Sequence, residues 1–190
     1  MKKLWLFFPV LLLSACIGTS RPAKFYNLQS ENIGAYNNEA VRAVIGVREV
    51  TIPDYLDKPQ IATLKSGGVE VNISELHRWS ESLSTMIQRV VADDLSYNLP
   101  KAVVKPQVSA RESFKYLLQI EIGQFDGSWD KTANLEAWWS ITDAAGKVLA
   151  QQKSSLSIPL GGGYDDLVRA ESRLLAELSA QIAQAFARLK

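Results

Sequence analysis

The sequence predicts an α+β fold, in which a mostly antiparallel sheet is covered on one face by two long amphipathic helices. Apolar and polar residues alternate along 114–122 and again along 131–141, which is the pattern of half-buried strands. Along 75–98 and 164–189 the apolar residues instead recur every three to five positions, as on one side of a helix. Since each helix carries a single apolar stripe, we expect both helices to pack on the same face of the sheet.

The first part of the chain contains several short strand candidates. They span residues 24–28, 41–52, 60–64, 69–73 and 102–104. The second candidate is rich in β-branched residues and apolar on both faces, which predicts a central strand that ends at Pro53. Between the third and fourth candidates, Ser66, Gly67 and Gly68 provide the positive φ angles of a tight hairpin turn.

The first predicted helix runs from about residue 75 to residue 98 and ends before Pro100. Its apolar stripe consists of Trp79, Leu83, Met86, Ile87, Val90 and Leu95. Such a stripe at helical spacing is typical of a surface that faces the core. His77 would then lie at the start of this helix, at the surface.

Strands of the second half follow one another closely. Phe125 breaks the alternation of the 114–122 strand after Gly123, which predicts a β-bulge or the end of the strand. The strand at 131–141 leads into a hairpin turn at 143–146 and a returning strand at 148–158. These three strands therefore predict an antiparallel meander.

Three glycines at 161–163 precede the last predicted helix, 164–189. Asp165 and Asp166 in its first turn, and basic residues in its last turn, complement the helix dipole. The glycines do not fit a phosphate-binding pattern, and the two aspartates would repel a phosphate at this position. We interpret the glycines as a flexible turn between strand and helix.

The N-terminus has the features of an export signal. Lys2 and Lys3 precede an apolar run at 4–13, which is too short to span a bilayer. The sequence Leu13-Ser14-Ala15-Cys16 then resembles the lipobox of bacterial lipoproteins. In such proteins the cysteine thiol accepts a diacylglycerol, the chain is cut before the cysteine, and the new amine is acylated. The alternative is an unrelated cysteine near a signal peptide. We predict a signal peptide at 1–15 and lipidation at Cys16.

The predicted mature chain consists of a lipidated linker at 16–24 and one periplasmic domain at 25–190. From Cys16 to Phe25 the linker can reach at most about 30 Å, so the domain must sit close to its membrane. Residue 17 is Ile, whereas an Asp after the cysteine retains lipoproteins of enterobacterial type at the inner membrane. We therefore expect the periplasmic face of the outer membrane.

Composition excludes several classes of function. Without residues 1–15, the chain carries 19 Lys and Arg against 20 Asp and Glu, and no basic cluster that would bind nucleic acid. His77 is the only histidine and Cys16 the only cysteine, so no ordinary zinc site can be built. A Gly-x-Ser-x-Gly nucleophile motif is also absent. We expect no catalytic residue, no metal and no cofactor.

Trp138 is the candidate contact that the strand pattern singles out. Adjacent residues of a strand point to opposite faces, so Trp139 should face the core and Trp138 the polar side of the sheet. A large aromatic side chain on a polar face indicates contact with a partner, another subunit or lipid. The alternative is that a loop of the same chain covers Trp138.

Several motifs together identify a family. They are the lipobox, Phe25-Tyr26-Asn27-Leu28, Ile52-Pro53-Asp54-Tyr55-Leu56-Asp57-Lys58-Pro59-Gln60-Ile61, His77-Arg78-Trp79-Ser80-Glu81-Ser82-Leu83 and Tyr164-Asp165-Asp166-Leu167-Val168-Arg169-Ala170. In this order they resemble the ABC-type transport auxiliary lipoproteins, and among them the PqiC (YmbA-like) lipoproteins. The resemblance implies a non-catalytic role beside MCE (mammalian cell entry) domain proteins, which form phospholipid tunnels across the periplasm.

The resemblance and the composition together favour an adaptor that docks the MCE protein at the outer membrane. We expect contacts from Trp138 and from Tyr55, Leu56 and Pro59 in the turn before residue 61, although packing alone would also explain Tyr55 and Leu56. A symmetric tunnel end also suggests a homo-oligomer. The alternatives are a carrier that binds one lipid between helices and sheet, and an envelope hydrolase that uses His77.

Overall fold

The computed structural model describes residues 21–31, 33, 36–65, 68–128 and 132–189. The predicted signal peptide, Cys16, Ile17 and the turn residues Ser66 and Gly67 lie outside these ranges. The strands are β1 Lys24–Tyr26, β2 Val44–Val47, β3 Gln60–Leu64, β4 Val71–Trp79, β5 Val103–Lys105, β6 Tyr116–Ser128, β7 Thr132–Asp143 and β8 Val148–Pro159. The helices are α1 Leu83–Asn98 and α2 Tyr164–Arg188. Within the described part of the chain, no helix has the length and apolar character needed to cross a membrane.

Strands β6, β7 and β8 form the long antiparallel meander that the alternation predicted. β6 pairs with β7 from Tyr116 opposite Asp143 to Ser128 opposite Thr132, and β7 pairs with β8 over a similar length. The register of β6 shifts between Ile122 and Gln124, which confirms the predicted bulge at Gly123. The turn after β7 closes when the backbone N–H of Gly146, at a φ of 85°, donates to the Asp143 carbonyl.

The other edge of β6 is shared by two strands, so the sheet forks there. β2 runs parallel to the start of β6, and the backbone N–H of Ile122 still donates to the carbonyl of Thr51 after β2 has ended. β3 meets only the last residue of β6, where Leu64 pairs with Ser128. Among the described residues, 123–127 of β6 have no strand partner on this edge. β5 continues the sheet beyond β2, and β4 and β1 continue it beyond β3.

The pairing confirms the α+β class and makes the sheet mixed. The antiparallel registers are the long ones, whereas the parallel pairs β1–β4, β2–β5 and β2–β6 are each three residues long. Parallel neighbours need long connections, which here are the loops and α1 between the short strands.

Both helices pack on one face of the sheet, as predicted. α2 lies against β6, β7 and β8, and Ser154 of β8 donates a hydrogen bond to Gln181 of α2 at 2.7 Å. α1 packs beside α2, and Ser179 of α2 donates to Asp94 of α1 at 3.4 Å. One continuous core fills the space between helices and sheet. Its largest fully buried side chains include Phe125, Phe186, Met86, Ile45 and Leu118.

The structure corrects the predicted start of the first helix. Residues 75–79 belong to β4, and α1 begins at Leu83. The spacing from Trp79 to Leu83 is helical, yet Trp79 is buried at the end of a strand that is held on both sides by β1 and β3. The pairing of β4 with β1 and β3 thus outweighs the helical spacing of the apolar residues in this segment. The predicted strand at 41–52 is also shorter, since β2 covers Val44–Val47 and only Thr51 pairs again, with Glu121.

Candidate partner-binding surface

Trp138 lies in the middle of β7, on the sheet face opposite the helices. Its side chain is 46% exposed, while the ring of the neighbouring Trp139 is buried and donates from Nε1 to Ser154 Oγ at 2.9 Å. Gln119, Ser140 and Gln151 border Trp138 and, with their neighbours, line a depression of about 530 Å³. Trp138 is therefore a large aromatic group on a polar, accessible surface.

Three neighbours hold the Trp138 ring in place. Lys153 of β8 lies opposite Trp138, and its Nζ is 4.5 Å from the ring centroid, within the range of a cation–π contact. The same Nζ forms an ion pair with Glu136 at 2.8 Å, and the pKa of that carboxyl is lowered by this hydrogen bond. The ring also covers Gly123, where a Cβ would lie 2.6 Å from the indole. The bulge glycine thus makes room for the ring.

Tyr55 occupies the fork of the sheet beside β6. Its hydroxyl donates to Asp126 Oδ2 at 3.0 Å, and Gln124 Nε2 donates to the other carboxylate oxygen at 3.0 Å. Burial raises the pKa of Asp126, and these two hydrogen bonds oppose the rise. Burial also raises the pKa of Tyr55, with Asp126 adding to the effect, while the backbone N–H of Phe125 acts against it. Tyr55 therefore places its hydroxyl against the Asp126 carboxylate, beside the stretch of β6 that has no strand partner among the described residues.

The other two predicted contacts in this turn differ in exposure. Leu56 is 3% exposed and belongs to the core, whereas Pro59 is exposed and its carbonyl accepts from the backbone N–H of Trp79. Asp57 of the turn lines a groove of about 970 Å³, which Gln119 lines as well. Because Gln119 also borders the Trp138 depression, the turn and Trp138 flank adjoining depressions. Tyr55 and Leu56 shape the turn from inside, while Pro59 and Trp138 are the members at the surface.

His77 is part of an aromatic cluster on β4, not at the start of a helix. Its Nδ1 is 2.8 Å from the Tyr26 hydroxyl, and its ring stacks on Tyr164 with centroids 3.8 Å apart. Desolvation, followed by the charge of Lys24, lowers its pKa. The ring thus joins β1, β4 and the start of α2. The sequence did not indicate this cluster, because its members are far apart along the chain.

Each helix carries a buried acid, and that of α1 is hydrogen-bonded to the segment after β1. Asp94 of α1 accepts from Ser30 Oγ at 2.5 Å and from the backbone N–H of Glu31 at 3.0 Å, yet burial raises its pKa to about 7. Glu171 of α2 is 1% exposed, and burial raises its pKa well above the usual range, with Asp126 adding to the rise. In the described ranges, no three His, Cys, Asp or Glu residues come together as metal ligands would. Asp94 and Glu171 are therefore features of the core.

Comparison with known proteins identifies the family. The model of the ABC-type transport auxiliary lipoprotein component matches residues 26–183, which include every element from β2 to β8 and most of α2. The chain belongs to this family. The membership confirms the family resemblance of the sequence and makes the protein a lipoprotein component that assists ABC-type transport at a membrane.

Solved structures share the fold of this auxiliary lipoprotein. A crystal structure of an uncharacterised protein is 22% identical, with a TM-score of 0.72 over 86% of this chain and 98% of that chain. A protein of the DUF330 family from Xanthomonas campestris is 14% identical, with a TM-score of 0.68 over 85% of this chain and 93% of that chain. No curated protein matches the sequence. At these identities the likeness concerns the fold.

Proposed function

We propose that this auxiliary lipoprotein is a non-catalytic adaptor of an intermembrane phospholipid transport system. It docks the tunnel-forming MCE-domain protein at the periplasmic face of the outer membrane, where it is held by acyl chains on Cys16. Family membership supports a role as a transport component with partners. The motifs at residues 52–61 and 77–83 support the link to PqiC-like lipoproteins.

The observation that carries the proposal is the exposed ring of Trp138. Tryptophan residues that are already fixed by their neighbours lose little entropy on binding, and they dominate the binding energy of many interfaces. Lys153 and Gly123 hold this ring on the bare face of the sheet, beside the groove that Asp57 lines. Pro59 extends the proposed contact surface. A symmetric tunnel end would be met by several copies of the lipoprotein.

Substitution of Trp138 tests the adaptor. Trp138→Ala should lower recovery of the MCE protein by at least about tenfold in a pull-down from mildly crosslinked, detergent-solubilised envelopes, because a central aromatic contact is lost. Tyr97→Ala is the matched control, since Tyr97 is 53% exposed but lies on α1. Equal recovery with wild type and Trp138→Ala would contradict the proposed surface. Recovery of the lipoprotein alone, with stoichiometric phospholipid, would instead favour the carrier.

The interior favours the adaptor over the carrier. A lipid bound between helices and sheet would need to displace side chains such as Phe125, Phe186 and Met86, each at most 1% exposed. Native interiors are close-packed, so an acyl chain cannot enter without rearrangement of these side chains. The fold therefore offers a surface for a protein partner more readily than a cavity for a lipid.

A further inference from the structure

The β3–β4 hairpin exposes an unusual amount of apolar surface. Val69 is 92% exposed, Val71 is 39% exposed and Ile73 is 38% exposed, while Phe25 on the neighbouring strand β1 is 66% exposed. Single apolar residues are common on protein surfaces, but neighbouring ones mark contact sites. These four side chains are not used by the adaptor surface around Trp138.

The strand registers place Val71, Ile73 and Phe25 on one face of the sheet. The cross-strand pairs are Leu64 with Val71, Ala62 with Ile73, Gln60 with Arg78, and Arg78 with Phe25. Gln60, Ala62 and Leu64 are two residues apart on β3 and so share a face. Directly paired residues on neighbouring strands share a face as well. Val71, Ile73 and Phe25 therefore share a face. The register shifts between Gln60 and Ala62, where β4 has the extra residues, and the polar Gln60 and Arg78 separate Ile73 from Phe25.

Because of the direction of β1, the linker that precedes it approaches from the end of the sheet where the hairpin tip lies. β1 is parallel to β4, with Lys24 opposite His77, so the chain enters β1 from the side of the hairpin tip. From the level of Phe25 to the level of Val71 is about 13 Å, measured along the four residues from Gln60 to Leu64 at the usual strand rise. Cys16 precedes Phe25 by nine residues, which reach about 30 Å. The reach of the linker therefore exceeds the distance from Phe25 to the level of Val71.

We propose that three described residues of the β3–β4 hairpin, Val69, Val71 and Ile73, rest in the headgroup region of the phospholipid leaflet that holds the acyl chains of Cys16. This inference builds on the acylation in the proposed function. Arg78 pairs with Phe25 on the same face, and its long side chain can extend its charge to lipid phosphates. Lys65 at the tip is paired with Glu70, so its charge is partly compensated.

The long meander provides a control site at the opposite end of the molecule. Leu64 at the base of the tip is level with Ser128 of β6. Val148 pairs with Thr142, which pairs with Leu117, so it lies about 36 Å from Ser128 along the strands. Val148 is 50% exposed, which is more than Val71 and Ile73 but less than Val69. The proposal requires lipid contact at the tip and none at Val148.

The test uses the full-length lipidated protein with one added thiol: Val69→Cys, Val71→Cys or Val148→Cys. An environment-sensitive fluorophore is attached to the thiol, and the protein is incorporated into phosphatidylethanolamine–phosphatidylglycerol vesicles with or without nitroxide lipids. We expect a blue shift and at least about twofold quenching at positions 69 and 71, as for side chains 5–10 Å deep in the interface. We expect neither effect at position 148. Wild type should take up no label, because acylation occupies its only cysteine.

Three results would overturn the proposal. If the labelled protein floats with vesicles but position 69 is not quenched, the hairpin stays in water while anchoring and adaptor function stand. If the protein does not float with the vesicles, the lipid anchor is absent, and the proposed membrane contact is absent as well. A blue shift that grows with protein concentration without nitroxide quenching would show that a second copy covers the hairpin. Val69 is so exposed that its replacement leaves the core intact, and far-UV circular dichroism checks this.

Discussion

At the scale of single residues, the buried carboxyl group of Asp94 connects two segments and makes stability depend on pH, which the composition alone does not show. Asp94 accepts hydrogen bonds from Ser30 and from the backbone of Glu31, which connects the segment after β1 to helix α1. These hydrogen bonds favour the charged carboxylate, whereas burial disfavours it, and the balance raises the pKa to about 7. The stability of the fold should therefore respond to pH near neutrality.

Asp94→Asn should remove part of this response. In the folded protein Asp94 keeps its proton up to about pH 7, whereas an unfolded aspartate releases it near pH 4, so the free energy of unfolding should fall as pH rises between these values. The fall from this residue is on the order of 4 kcal/mol, at about 1.4 kcal/mol per pKa unit. Urea denaturation between pH 4.5 and 7.5 should show a flatter profile for Asp94→Asn.

A slope that remains in this variant is expected from Glu171, whose pKa is also raised by burial. Parallel profiles for wild type and Asp94→Asn would contradict the assignment to Asp94.

At the scale of secondary-structure elements, the fork beside β6 explains the motif around residues 53–59. β2 leaves β6 before β3 reaches it, and in this gap the Tyr55 hydroxyl donates to the side chain of Asp126 on β6. The motif around residues 53–59 therefore has a structural role in the gap between β2 and β3. The same turn also places Pro59 at the surface. The sequence showed that the motif is distinctive but not that it seals a gap, because the gap depends on the pairing of strands far apart in the chain.

Tyr55→Phe tests the seal. The ring remains, but the buried carboxylate of Asp126 loses the Tyr55 donor at 3.0 Å and keeps only Gln124 of the two donors described, so the free energy of unfolding should fall by about 1–3 kcal/mol. Urea denaturation at neutral pH measures the change. Tyr97→Phe is the control, since Tyr97 is 53% exposed and its variant should unfold like wild type. The same stability for both variants would show that Tyr55 does not seal the fork.

Gly127 lets α2 approach β6 closely. A Cβ at this position would lie 2.4 Å from Leu167 Cδ1 and 2.9 Å from Leu160 Cδ2, and both leucines are buried. Gly127→Ala should therefore cost about 1–3 kcal/mol of stability through overpacking. Gly162→Ala, with nothing within 4 Å of its Cβ, should be close to neutral. Thermal unfolding of both variants decides this, and a neutral Gly127→Ala would mean that the leucines move aside without cost.

At the scale of the whole molecule, the sequence predicted what local patterns determine. The meander β6–β8 and helix α2 follow from alternation and from one apolar stripe, and both are present. The first part of β4 was predicted as the strand at 69–73, but its second part, residues 75–79, was assigned to a helix, because Trp79 is helically spaced from Leu83 and only the partners β1 and β3 keep this part extended. The alternation of polar and apolar residues was enough to predict that Trp138 lies on the polar face. Its contacts with Lys153 and Gly123 could not be predicted, because they depend on how the strands pair.

The parallel pairing of β2 with β6 has a consequence for how the chain folds. Ile45 pairs with Tyr116, so β2 has no partner on this side until about seventy further residues have emerged. Pairs of strands that are distant in sequence form slowly, because the long loop between them must close first. The meander and α2, in contrast, are neighbours in sequence. We expect them to form the folding nucleus, onto which the earlier strands dock last, with their apolar residues exposed to chaperones in the meantime.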